Sequence, residues 1–173
     1  KTGIKISGEL LTWHKITLTI PGPETAEYGQ VNPFLDYRLE VTFTQGDQTL
    51  TVPGFYAADG NAAETSSQTG NVWMVRFRPG KPGSWNYQVR FLEGENIAVA
   101  TDPSYGRHVG ADGQSGLFTV GETNKEGPDF RARGRLEYAG ARYLRFSGDS
   151  SWWIKNGADS PENFLAFADF DQT

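Results

Sequence analysis

The strongest constraint in this chain is an alternation of large apolar and polar residues, repeated in short runs between Gly- and Pro-rich turns. "HKITLTI" places Ile16, Leu18 and Ile20 on one face and Lys15, Thr17 and Thr19 on the other. "DYRLEVTFT" does the same with Tyr37, Leu39, Val41 and Phe43 against Arg38, Glu40 and Thr42. "NVWMVRFRP" sets Trp73, Val75 and Phe77 against Arg76 and Arg78, and "SWNYQVRFL" sets Trp85, Tyr87, Val89 and Phe91 against Asn86, Gln88 and Arg90. A period of two buries one face of a strand and leaves the other wet, and no helix can use it that way. "GKPG" makes the turn between the last two runs, while "QTLTV" after "QGD", and "GLFTVGE", add further short strands. The expected fold is an all-β antiparallel sandwich of roughly immunoglobulin size, with a barrel as the alternative.

Composition narrows the partners. The chain has 173 residues, with 37% hydrophobic and 13% aromatic residues, which supplies one sizeable core rather than a disordered polymer. A net charge of -5 argues against a nucleic-acid surface, since phosphate needs a basic face. The absence of cysteine removes disulfides, zinc thiolates and thiol nucleophiles. No apolar run reaches the roughly 18 residues of a membrane span. No leader is read, and a chain that starts at Lys1 fits a processed protein.

"NKEGPDF" is polar with Gly127 and Pro128, and reads as a linker. It divides a sandwich over residues 1–123 from a segment over 129–173, with 124–128 between them. In the second segment "RLEYAGARYLRF" predicts a hairpin, with Ala139-Gly140 at the bend. "DSPENFLAF" predicts a short helix, with Ser160 as N-cap and Pro161 in the first turn. Leu144, Phe146, Trp152, Trp153, Ile154 and the apolar residues that follow are too many for a bare arm. They should be covered by the sandwich or by a second copy of the chain, with at least one of the two tryptophans buried.

Acids gather near the end: Asp149, Asp159, Glu162, Asp169 and Asp171. Two carboxylates about 5 to 9.5 Å apart can hydrolyse a glycoside, but spacing in sequence does not fix that distance, and Asp159 and Glu162 equally suit a helix N-terminus. Trp152 and Trp153, side by side, should point to opposite faces of a strand, so one can offer a ring to a sugar. The long loop "GFYAADGNAAETSSQTGN" carries Tyr56, Asp59 and Glu64, in a position where sandwich rims often bind ligands. Its Asp59, Asn61 and Glu64 lack the acidic repeat of a calcium loop, and His14 and His108 lack zinc partners, so no metal or cofactor is expected. "GQSGL" is not a nucleophile elbow, because Leu117 stands where the second glycine belongs. Arg38, Arg76, Arg78 and Arg90 share outward parity, which suits pairing with neighbours such as Glu40 as well as an acidic glycan.

Three blocks carry a family resemblance: "NPFLDYRLEVTF"; "GFYAADG" with "VRFRPGKPGSWNY"; and "SWWIKNGADSPENFLAFADFDQT". Together they resemble the N-terminal immunoglobulin-like domain, of unknown function, of bacterial glycoside hydrolases, running into the first segment of an apiosidase-like catalytic (β/α)8 barrel. The polar stretch between Asp59 and Trp73 is longer than that pattern. The resemblance implies a noncatalytic accessory domain of a polysaccharide-degrading enzyme, bracing the downstream barrel or binding carbohydrate. Its acid and nucleophile would lie on later barrel strands. The candidate sugar contacts are Tyr56, Asp59, Tyr105, Asp149, Trp152, Trp153, Asp159 and Glu162. The expected partners are a polysaccharide or oligosaccharide and the barrel, with a homodimer through the C-terminal segment as a further option. The expected compartment is secreted or periplasmic. Two alternatives stay open: a dedicated carbohydrate-binding module, and a self-contained hydrolase using the C-terminal acids.

Overall fold

The computed structural model describes residues 3–157. They fall into two compact units, divided between Glu122 and Thr123. In the first unit the strands are β1 (Lys5–Ser7), β2 (Ile16–Ala26), β3 (Tyr37–Gln45), β4 (Gln48–Pro53), β5 (Phe55–Tyr56), β6 (Thr69–Phe77), β7 (Gly83–Glu93), β8 (Arg107–His108) and β9 (Ser115–Val120). A single helical turn, α1 (Ala62–Thr65), precedes β6, and a 3-10 turn covers Ile97–Val99. One sheet has the order β1-β2-β6-β5. The other has β4-β3-β7, with β8 and β9 both on the far edge of β7. Among the described residues the named strands all pair antiparallel, and the chain crosses between the two sheets from β2 to β3 and from β6 to β7.

The alternating residues make the core. Ile16, Leu18 and Ile20 of β2 and Trp73, Val75 and Phe77 of β6 are buried from one sheet, and they meet Tyr37, Leu39, Val41 and Phe43 of β3 and Trp85, Tyr87, Val89 and Phe91 of β7. Rings bridge the sheets: Phe43 stacks on Phe77 at 4.0 Å, and Trp73 stands edge-on to Phe91 at 4.9 Å. Each strand therefore buries the face that its period assigned to it, and the two sheets close as a sandwich, not a barrel.

β2 runs further than its first apolar run. Pro21 and Pro23 cannot donate to the ladder, and the register slips between Pro21 and Thr25 before pairing resumes at Thr25↔Gly70. Gly22 sits in this bulge because a Cβ there would lie 2.4 Å from the Trp73 ring and 2.7 Å from Phe91. The indole N–H of Trp73 donates to the carbonyl of Pro23 at 3.2 Å, so the bulge and the core are fastened together.

The second unit holds α2 (Phe130–Arg133) and a small antiparallel sheet of β10 (Leu136–Tyr138), β11 (Leu144–Phe146) and β12 (Trp152–Trp153), in that order. The hairpin is present, with its bend spread over residues 139–143. The pairing of Trp152–Trp153 as a third strand is an addition to it. Phe146 is buried against Phe130, with the Arg133 guanidinium 4.3 Å from its ring centre. Trp152 is 51% exposed and Trp153 half-buried. Two successive side chains on a strand point to opposite faces, which accounts for the difference between the two rings. The predicted helix over "DSPENFLAF", with Asp159 and Glu162, lies outside the described residues.

Candidate functional site

A cup of about 240 Å3 opens at one end of the sandwich, between the turn before β3, the start of β3 and the β4–β5 junction. The turn comes first in its construction. Asn32 accepts the Phe34 amide on its own side chain at 2.9 Å, an Asx turn, and its carbonyl takes the amides of Leu35 and Asp36. Asp36 then holds two segments at once: one carboxylate oxygen accepts the Asn32 amide at 2.8 Å and the other the Asn96 amide at 2.9 Å. Those backbone bonds, Asn96 first, hold the Asp36 carboxyl below its usual range. Ala98 adds an N–H bond to the carbonyl of Leu35. The result is a pinned turn that holds Phe34 outward, 55% exposed.

Phe55 forms the opposite lip on β5, with Arg76 5.1 Å from its ring centre. Between the lips stand Arg38 and Glu40, successive outward residues of β3. Nε and Nη2 of Arg38 reach one oxygen of Glu40 at 2.8 and 2.7 Å, and Nη1 donates to the carbonyl of Ala100 at 2.8 Å. The pair is formed along one strand, between residues two apart. Gly54 keeps the floor open at the strand junction, since a Cβ there would lie 2.4 Å from Leu39.

Of the candidate sugar contacts named from sequence, the cup contains Tyr56 alone, and Arg38, named with the outward arginines, lines it too. Tyr56 is not an exposed rim aromatic: it is 7% exposed, packs at 5.1 Å from Trp73, and shares its hydroxyl proton between the carbonyls of Thr25 at 2.7 Å and Gly70 at 3.2 Å. The polar loop around it invited the wrong reading, because the register of β5 on β6 turns Tyr56 inward opposite Trp73. Burial raises its phenol above the ordinary value. Asp59 is exposed but engaged, accepting the Thr65 hydroxyl at 2.7 Å and the Asn61 amide at 2.8 Å, bonds that lower its carboxyl. Tyr105 is 58% exposed, with its hydroxyl donating to the carbonyl of Glu95. Asp149, Trp152 and Trp153 belong to the second unit, and Asp159 and Glu162 lie outside the described residues. Among the described residues no cluster of three or more His, Asp or Glu could hold a metal ion.

Asp149 closes the turn between β11 and β12. Its carboxylate accepts the hydroxyl and the amide of Ser151 at 2.5 and 2.9 Å, and Nε of Arg133 at 3.1 Å. The Ser151 hydroxyl is the largest influence, and together these donors bring the carboxyl to about 2. The turn therefore keeps its full stabilisation from this group above the usual value of 3.8, and loses it as pH falls through about 2. The carboxyl carbon resonance of Asp149 should titrate near that lower value, and Ser151→Ala should raise the midpoint more than Arg133→Ala does. A midpoint already at 3.8 in the parent protein would contradict the geometry.

Residues 9–92 match the family model of a domain of unknown function, DUF5060. The solved structure of "a putative glycoside hydrolase from Bacteroides vulgatus ATCC 8482" is similar over 85% of this chain, with a TM-score of 0.50 and 22% identity. The likeness is one of fold, and this chain spans 21% of the length of that one. No curated protein matches the chain.

Proposed function

We propose that the chain is a noncatalytic β-sandwich accessory domain of a polysaccharide-degrading glycoside hydrolase, joined to the opening segment of that enzyme's barrel and working outside the cytoplasm. The observation that carries the noncatalytic reading is the hydrogen bonding of the two candidate acids among the described residues, Asp59 and Asp149. A glycosidase needs one carboxyl pushed up so that it can donate a proton. Asp59 and Asp149 are instead pulled down by their own neighbours' N–H and O–H groups, and serve as turn-closing acceptors.

Two roles remain for such a domain, and each has an observation in its favour. Bracing is favoured by Tyr37, Trp73, Trp85 and Tyr87, whose rings are committed to the core and not to a ligand platform. Holding carbohydrate is favoured by Phe34 and Phe55, large rings that the fold leaves at the lips of a cup. The purified chain is expected to release no reducing sugar from any polysaccharide. Release that disappears in Glu162→Gln would instead support the self-contained hydrolase.

A further inference from the structure

We infer that the cup binds one neutral pyranose residue, end-on, at a chain terminus or branch of a glycan; this rests on the carbohydrate-holding role proposed above. Size is the first argument. At about 240 Å3 the space falls below the roughly 300 to 1,000 Å3 of pockets for drug-sized ligands, and suits one ring, not a run of them.

The walls divide by chemistry as a pyranose does. A sugar ring has an apolar face of C–H bonds and a periphery of hydroxyls. Phe34 and Phe55 supply aromatic surface for the first, and the edge-to-face contact of Phe34 with Tyr56, at 6.2 Å and 76°, supports its ring from behind. Arg38 and Glu40 supply the second. The guanidinium has five N–H donors, of which the contacts to Glu40 and Ala100 occupy three. Two donors are left beside the second oxygen of Glu40, which has no hydrogen-bond partner among the described residues. Donors and an acceptor side by side match two adjacent hydroxyls, each of which both donates and accepts.

Charge selects the sugar class. Arg38 is already neutralised by Glu40, with both side chains largely withdrawn from water, so the floor of the cup offers no net positive charge to a uronic acid, and Arg76 stands outside the lining, over the Phe55 ring. A carboxylated sugar would meet the Glu40 carboxylate instead. The lip is also fixed in advance, because Asp36, Asn32 and Ala98 hold the Phe34 turn through backbone bonds, and a ligand need not order it.

The test is an amide-resolved NMR titration of the whole chain with the methyl pyranosides of glucose, galactose, mannose, xylose and glucuronic acid. At least one neutral glycoside should move the amides of Phe34, Phe55 and Ala98, and the glucuronide should not. Phe34→Ala should weaken that binding roughly tenfold or more while leaving the melting temperature unchanged, and Glu40→Gln should weaken it without altering the Phe34 turn. Neutral-glycoside binding that survives both substitutions, or moves only amides elsewhere, overturns the cup and leaves carbohydrate holding intact. A response to the glucuronide equal to the neutral ones overturns the charge argument and with it the assignment. If no glycoside moves any amide, and no polysaccharide retards the chain in an affinity gel, the cup and the carbohydrate role both fall and bracing stands.

Discussion

Trp85→Ala is expected to destabilise the sandwich by about 3 to 5 kcal/mol, the largest loss of any single substitution considered for this chain. The indole is fully buried, stands edge-on to Phe77 at 5.0 Å, and donates its N–H to the carbonyl of Lys81 at 3.0 Å. Its removal would open a cavity beside the Phe43–Phe77 stack and strip the β6–β7 turn of a bond. Domains of this size hold roughly 5 to 15 kcal/mol in total, so thermal or urea unfolding should show a large drop in midpoint. An unchanged midpoint would mean that the inward face of β7 has been wrongly assigned.

Tyr56→Ala should cost a similar amount, about 3 kcal/mol or more, because it empties the space against Trp73 and frees the clasp on the end of the β2–β6 ladder. An exposed rim aromatic would leave the melting temperature where it is; a buried one does not. Tyr56→Phe separates the two contributions: the ring stays, and only the hydroxyl is lost, at about 1 kcal/mol. Should Tyr56→Ala melt with the parent protein, the inward register of β5 is wrong.

The strands were legible because their signal is local. From Tyr37 to Phe43 in β3 and from Trp85 to Phe91 in β7 every second residue is large and apolar, and each such residue is buried, so period alone located the core. The continuation of β2 was hidden by its own chemistry: "PGP" announces an end to a strand, and only the approach of Trp73 and Phe91 over Gly22 makes it a bulge. Tyr56 was hidden for the opposite reason, as an aromatic in a run of Ala, Gly, Asn and Ser whose composition reads as solvated loop. Its burial depends on β6, which is a separate run of sequence.

Asp59 and Asp149 did carry a local sign. Each is followed two residues later by an amide that it accepts, Asn61 and Ser151, which is the habit of a turn-forming Asp and not of a catalytic one. The cup left no comparable trace. Phe34 with Arg38, then Phe55, then Ala98 come from three separate stretches, and no window of sequence records that these stretches converge. "NPF" was a partial signal, since a turn pair followed at once by large apolar residues tends to display one of them.

The two ends of the sandwich are joined by a bridge whose direction has a mechanical meaning. Leu11 and Gly121 pair in parallel, and three hydrogen bonds of 2.8 Å fasten them: the Gly121 amide to the Leu10 carbonyl, and the amide and hydroxyl of Thr12 to the Gly121 carbonyl. Tension applied through the chain on either side pulls these two segments in opposite senses along their length. The bonds lie across that pull and share it, instead of breaking one after another from an end. When the chain is dragged from the Glu122 side, the load meets this shear clip before it reaches the core.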